Sequence, residues 1–136
     1  MLGEKIGEFQ AKASFKVLPA RGSVPLMETT AEGAGSILGA NATIMVSYST
    51  EVRPDGTLYG ECPNSGVIMT QEGEVATFTA AGAGKFTGQG GAVSFRGAIY
   101  FQTSSSKLAA LNGTAVVYEW DVDADGNGAL SLWNWN

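Results

Sequence analysis

Five side chains in predicted β-strands have the chemistry to hold or transform a small ligand: Tyr59, Glu61, Arg96, Tyr100 and Glu119. A charge between apolar strand positions faces either solvent or an enclosed cavity, because successive side chains point to opposite faces. On an interior face, Arg96 can pair with a ligand carboxylate or with Glu61. Glu61 or Glu119 is then the candidate acid or base. On the outer surface, the same residues are ordinary solvated charges.

Histidine is absent from the chain, and Cys62 is the single cysteine. The chain therefore lacks the commonest metal ligand and the side chain most often used as a general base near neutral pH. A disulfide within the chain and a cysteine-based zinc site are both excluded. We expect neither a metal ion nor a cofactor, and no catalytic residue can be assigned.

An acidic segment near the C-terminus begins like a calcium loop. Asp121, Asp123 and Asp125 occupy the spacing of the first three ligands, and Gly126 follows as the loop glycine. The twelfth position, which should be a bidentate glutamate, is Leu132. The segment is also rich in hairpin-turn residues, so we predict an acidic hairpin tip.

Two glycine-rich segments, Gly33–Gly39 and Gly82–Gly88, share the spacing G-x-G-x-x-x-G. Dinucleotide-binding loops have the spacing G-x-G-x-x-G and lead into a helix whose N-terminus holds the phosphates. Each of these segments instead precedes a long predicted strand. We therefore interpret the glycines as turn or corner residues that allow a closed sheet to bend.

Composition indicates one globular domain over residues 1–136. The chain is 44% hydrophobic and 15% charged, with 19 glycines, and is too apolar for a disordered segment. Its net charge of -5 argues against binding to nucleic acid or anionic membranes, which relies on Lys and Arg. There is no run of 18 apolar residues, and residues 1–10 lack the hydrophobic stretch of a signal peptide. We expect a cytoplasmic protein.

Period-2 alternation dominates the hydrophobic pattern. Apolar residues take every odd position from Phe9 to Val17, and similar alternation marks Ala40–Val52 and the strand from Val93. Glycine and proline clusters, including Gly33–Gly35 and Pro63–Gly66, suggest strand ends, and Ser104–Leu111 has room for one helical turn. Eight or nine strands result. Long strands that are apolar on both faces need cover on both sides, so we predict an all-β, closed antiparallel barrel of about eight strands.

The last predicted hairpin concentrates aromatic residues, with Tyr118, Trp120, Trp133 and Trp135 close together. Large apolar area on both faces of these strands predicts burial within a barrel or at an oligomer interface. An aromatic platform for a sugar is the alternative.

The segment Gly82–Gly91, which leads into the strand from Val93, resembles the G-x-G-x-F-x-G-x-x-G corner of allene-oxide-cyclase-like, calycin-type barrels. Dirigent proteins and several small bacterial domains of unknown function carry similar corners. The turn Arg53–Thr57 before Gly60 and Glu61 is similar to one in an uncharacterised bacterial group. The resemblance implies an eight-stranded antiparallel barrel, a homo-oligomer and a cavity able to hold an apolar ligand. It transfers no catalytic residue.

Three functions remain open, and whether the protein is an enzyme is undecided. In the first, the barrel binds a small apolar or amphipathic molecule whose polar end is oriented by Arg96, Tyr59 or Tyr100. The second is a cofactor-free cyclase or isomerase that resembles the enzymes of this barrel class, with Glu61 or Glu119 as acid or base. The third is a structural module whose aromatic C-terminal hairpin forms an oligomer or partner surface.

Overall fold

The computed structural model describes residues 2–88 and 90–136, and these form eight antiparallel strands and one 3₁₀ turn. Met1 of the N-terminal segment and Gln89 of the glycine-rich segment lie outside the described residues. The strands are β1 (Leu2–Arg21), β2 (Val24–Ile37), β3 (Ala40–Val52), β4 (Leu58–Thr70), β5 (Val75–Phe86), β6 (Val93–Thr103), β7 (Val116–Val122) and β8 (Asn127–Trp135), and the 3₁₀ turn is Ala109–Leu111.

The eight strands close into a single barrel in which each strand pairs with the next and β8 pairs with β1. This confirms the predicted all-β, closed antiparallel barrel. Each strand lies beside its neighbour in sequence, as expected when tight turns join antiparallel strands. Closure matters for function because alternate side chains of every strand then share one interior.

Two predicted strand ends are wrong. β2 continues through Gly33 and Gly35 to Ile37, and β4 continues through Pro63–Gly66 to Thr70. In β4 the pairing shifts between Cys62 and Gly66, and Asn64 adopts a left-handed φ of 58°. The extra residues form a β-bulge, which bends a strand without ending it.

Side chains close one end of the barrel. The connection between β6 and β7 contains the 3₁₀ turn Ala109–Leu111, in agreement with the predicted helical turn, and it buries Leu108 and Leu111. The side chain of Asn112 holds this connection to β6 by exchanging two 2.9 Å hydrogen bonds with the N–H and carbonyl of Thr103. Ligand-sized space must therefore lie nearer the middle or the opposite end.

The acidic segment forms the predicted hairpin tip between β7 and β8. The carboxylate of Asp123 accepts hydrogen bonds of 2.9 Å from the backbone N–H groups of Asn127 and Asp125. These bonds lower the pKa of Asp123, the bond from Asn127 most of all. Among residues 2–88 and 90–136, no group of three His, Cys, Asp or Glu residues is placed to hold a metal ion. No helix in the same residues is long and apolar enough to cross a membrane.

Candidate functional site

A cavity of about 60 Å³ lies inside the barrel. Its wall is built from residues of all eight strands, and nearly all of these are apolar or aromatic. The lining consists of Phe9, Ala11, Ala31, Ile44, Val46, Tyr48, Gly60, Glu61, Cys62, Phe78, Ala80, Phe95, Ile99, Tyr118, Trp120 and Leu130. Alanine and glycine at several of these positions leave space that larger side chains would fill.

Inward-facing glycines shape the wall by accepting aromatic rings from neighbouring strands. A Cβ atom on Gly84 would lie 2.6 Å from the ring of Phe95, and one on Gly60 would lie 3.0 Å from it. A Cβ on Gly128 would overlap the Trp120 ring. The glycines therefore allow the rings to lie flat against the sheet, a known way to compensate for the missing side chain of a strand glycine.

Trp120 and Tyr48 form the main polar contact in this apolar wall. The indole N–H of Trp120 donates a 2.9 Å hydrogen bond to the hydroxyl oxygen of Tyr48. Burial raises the pKa of Tyr48, and hydrogen bonds involving Trp120 and Thr29 offset part of the increase. The edge of the same Tyr48 ring meets Phe95, with ring centroids 6.0 Å apart. The indole and the phenol thus hold each other in fixed orientations.

Tyr118 also lines the cavity; its hydroxyl lies against Gly82 and makes no hydrogen bond to any part of the chain that the structure describes. Every fully buried side-chain nitrogen or oxygen in those residues has a partner, so this half-buried hydroxyl remains accessible to a water-sized molecule. Burial, with smaller contributions from Tyr48, Cys62 and Tyr59, raises its pKa well above the ordinary tyrosine value. Tyr118 therefore stays a neutral donor and acceptor at physiological pH.

The Cys62 thiol also belongs to the cavity wall. It is buried, donates weakly to the carbonyl of Phe78 at 3.8 Å, and lies 3.5 Å from the hydroxyl of Ser65. Ser65 in turn donates a 2.6 Å hydrogen bond to the carbonyl of Ser47 across the bulge. These contacts fix the thiol within the bulged part of β4.

The five residues predicted from sequence lie on the outer face of the barrel. Arg96 and Tyr100 alternate with buried β6 residues, Tyr59 and Glu61 alternate with buried β4 residues, and Glu119 lies beside Arg96 on β7. Glu61 borders the cavity as the residue between Gly60 and Cys62, but it is exposed and its strand position directs the side chain outward. Ligand binding by these five residues stays a prediction.

The structure joins two of the five, Arg96 and Glu119, into one cluster with Asp121. The Arg96 guanidinium lies 3.7 Å from Glu119 and 2.9 Å from Asp121, rather than beside Glu61. Partial burial raises the pKa of Asp121, but hydrogen bonds from Arg96 and Ser94 outweigh it and the pKa is lowered. Tyr59 instead stacks under Arg53, whose guanidinium lies 4.8 Å from the ring centroid.

We expect the Arg96 cluster to contribute little to stability, because Arg96 and Asp121 are each 52% exposed. In a double-mutant cycle of Arg96→Ala and Asp121→Ala, the coupling free energy should be below about 1 kcal/mol. It should shrink further in concentrated salt, which screens exposed pairs. Urea unfolding of the four proteins at low and high salt measures both effects. A coupling that is large and insensitive to salt would contradict the solvated reading of this cluster.

Sequence reasoning missed the polar residues that do face the cavity, Tyr48 and Tyr118, although it placed Tyr118 and Trp120 in one hairpin. The sequence did contain an indication, because side chains on one face of a strand occupy every second position. Tyr118 and Trp120 share such a face with Val116. The charged residues Glu119 and Asp121 occupy the opposite face. When every second residue of a strand is apolar, those residues identify the inward face.

The barrel closely matches solved structures. A conserved protein of unknown function from Rhodopseudomonas palustris superposes with a TM-score of 0.81 at 14% identity, covering 98% of this chain and 97% of the other. A protein of unknown function from Clostridium acetobutylicum gives 0.82 at 16% identity, covering 98% and 99%. A β-barrel-like protein from Acinetobacter baumannii gives 0.80 at 14%, covering 98% and 94%. At these identities the likeness establishes the fold alone.

No protein-family model matches the chain. No curated protein sequence matches it either.

Proposed function

We propose that the protein binds a small, mostly apolar molecule inside the barrel, with the Tyr118 hydroxyl as its hydrogen-bond partner. The observation that carries the proposal is an apolar cavity whose wall includes Tyr118, a tyrosine whose hydroxyl has no partner in the described chain. Apolar cavities bind apolar guests because displacing water from such walls is favourable. The orienting role predicted for Arg96, Tyr59 or Tyr100 passes in this proposal to Tyr118.

The cavity volume limits the ligand. A volume of 60 Å³ is less than half the roughly 150 Å³ of an engineered apolar cavity that binds benzene. A molecule of a few non-hydrogen atoms fits without rearrangement, and a larger one requires a wall side chain to move. The apolar wall favours a hydrocarbon-like body, and the free hydroxyl of Tyr118 favours one polar end.

The alternative is a cofactor-free cyclase or isomerase like the allene-oxide-cyclase-like enzymes. This chemistry needs an acid or base that touches the ligand. In the part of the chain that the structure describes, the titratable side chains directed into the cavity are Tyr48, Cys62 and Tyr118. A tyrosine with a raised pKa donates a hydrogen bond but is a poor base. Binding is therefore the better-supported function.

Xenon is the probe for the cavity, because it is small, apolar and needs no hydrogen bond. We expect one xenon per chain in xenon NMR titrations of the wild-type protein. Ala80→Leu, which fills the cavity, should weaken xenon binding at least about tenfold, which corresponds to about 1.4 kcal/mol. Ala83→Leu makes the same change on the outer face of the same strand and should leave binding unaltered.

A second comparison isolates the hydroxyl. Tyr118→Phe should retain xenon but bind 1-propanol about fivefold more weakly, since a neutral hydrogen bond contributes about 1 kcal/mol. Absence of xenon binding in the wild-type protein, or its persistence in Ala80→Leu, would overturn the proposed cavity function. Native mass spectrometry of freshly purified protein then identifies any molecule carried from the cell.

A further inference from the structure

One edge of the barrel wall is left without a neighbour strand. β1 pairs with β8 only as far as Lys12, opposite Asn127, and the last bond between them runs from the N–H of Ala13 to the carbonyl of Gly126 at 2.8 Å. Beyond it, residues 14–21 of β1 pair with β2 alone within residues 2–88 and 90–136. The β1–β2 hairpin therefore extends past the tip of the β7–β8 hairpin and leaves a strand edge open.

The open edge presents backbone donors and acceptors from two residues in particular. The N–H of Ala13 points away from β2, and in an antiparallel pair every second residue directs its N–H and carbonyl to the same side. The N–H and carbonyl groups of Phe15 and Val17 therefore point to the open side. Such an edge is a ready template for another strand.

The same two residues carry exposed apolar side chains. Phe15 is 66% exposed and Val17 is 77% exposed, the largest fractions among the exposed large hydrophobic residues described. Free backbone groups and exposed apolar side chains thus coincide at Phe15 and Val17. A strand added here would pair the backbone and place its own side chains beside Phe15 and Val17.

The total surface is also larger than a monomer of this size ordinarily has. The described chain exposes 7426 Å², whereas a 14.1 kDa globular monomer exposes about 6,700 Å². The excess is about 700 Å², close to the roughly 800 Å² that each partner loses in a standard interface. The β1–β2 hairpin beyond the tip of the β7–β8 hairpin, with Phe15 and Val17 exposed, is part of this surface.

We propose that the protein forms a two-fold dimer in which the open edge of β1 pairs antiparallel with the same edge of a second copy, centred on Val17. In this register Val17 faces its own symmetry mate and exchanges two backbone hydrogen bonds with it, and the N–H of Phe15 lies opposite Pro19, where the regular β1–β2 pairing ends. Pro19 has no N–H to continue the ladder, so pairing ends there. The inference is independent of the cavity function.

The charges at the edge fit this register. Lys16 lies opposite Leu18 of the second copy, so no like charges are directly opposite, although the two Lys16 side chains are diagonal neighbours. Lys16 is also partly neutralised within its own chain, because its ammonium lies 3.6 Å from Glu28. The alternative register centred on Lys16 would place two lysines directly opposite, which disfavours pairing.

The test is the oligomeric state, measured by sedimentation equilibrium from micromolar to near-millimolar concentration. We expect a dimer of twice 14.1 kDa. Val17→Lys places two charges face to face and should weaken association roughly 100-fold or more. Met69→Lys is the matched control, because Met69 is 49% exposed on β4, outside the β1 edge, and it should associate like the wild type.

Hydrogen exchange of the wild-type protein provides a second measurement that needs no variant. The amides of Phe15 and Val17 should exchange freely in dilute solution and become protected as concentration rises. A monomer at every concentration would overturn the proposal. A dimer that Met69→Lys disrupts and Val17→Lys does not would overturn it as well, as would a dimer in which these two amides stay unprotected.

Discussion

Replacing Gly33 by alanine is expected to lower the free energy of unfolding by about 3 kcal/mol, at the upper end of the range for overpacked sites. Gly33 pairs with Ala11 across the β1–β2 ladder. A Cβ atom on Gly33 would lie 2.5 Å from the Cα of Ala11 and closer still to the carbonyl oxygen of Gln10. Both are backbone atoms, so relief requires the two strands to separate.

Gly88→Ala is the matched control, because no described atom outside the adjacent residues lies within 4 Å of a Cβ there and its φ is not in the left-handed region. Urea unfolding followed by far-UV circular dichroism measures both variants. Gly35 faces the backbone of Glu8 and Phe9 in the same way, so a Gly33→Ala/Gly35→Ala double variant should not fold. If Gly33→Ala loses less than about 1 kcal/mol, the close approach of β1 and β2 is not rigid.

The same glycines show what local sequence could and could not predict. Alternation from Phe9 to Val17 identified β1, because burial of one face leaves a period-2 pattern that is visible locally. Gly33 and Gly35 were interpreted as the end of β2, because glycine ordinarily weakens strands. Their reason for being glycine is the backbone of β1, more than twenty residues away in sequence. A contact of that kind leaves no local pattern.

The candidate site illustrates a different limit. In β6, Phe95 and Ile99 are buried, and their parity already places Arg96 and Tyr100 on the opposite face. In β4, the inward positions near Glu61 hold Gly60 and Cys62, which form too weak an apolar set to identify the face. The alternation of apolar residues in β6 could therefore have shown that Arg96 faces outward, and the same test applied to β7 would have identified Tyr118 as an inward-facing polar residue. The free volume beside Tyr118 depends on how the eight strands close into a barrel. The sequence of a single strand does not contain that information.

Replacing Trp120 by alanine should produce the second large effect, a loss of about 3–5 kcal/mol in the free energy of unfolding. Trp120 is 7% exposed, lines the cavity and donates its indole N–H to Tyr48. Its removal leaves an indole-shaped void continuous with the existing cavity and leaves the Tyr48 hydroxyl without its donor. Trp135→Ala is the control, because Trp135 is 58% exposed and its removal opens no cavity.

The enlarged cavity of Trp120→Ala should accept free indole, which restores both the ring contacts and the N–H donor. A ligand that binds only the folded state stabilises it by about 2.7 kcal/mol at a hundredfold excess over its dissociation constant, so indole should recover much of the loss. Benzofuran has the same shape without the N–H and should bind about fivefold more weakly, the value of one neutral hydrogen bond. Thermal unfolding with and without each compound measures the recovery. Recovery by indole in Trp120→Ala, with none in Trp135→Ala, means that molecules from solution reach the barrel interior. If indole has no effect on Trp120→Ala, the interior is sealed to ligands of that size, and the cavity can serve only molecules as small as its present volume.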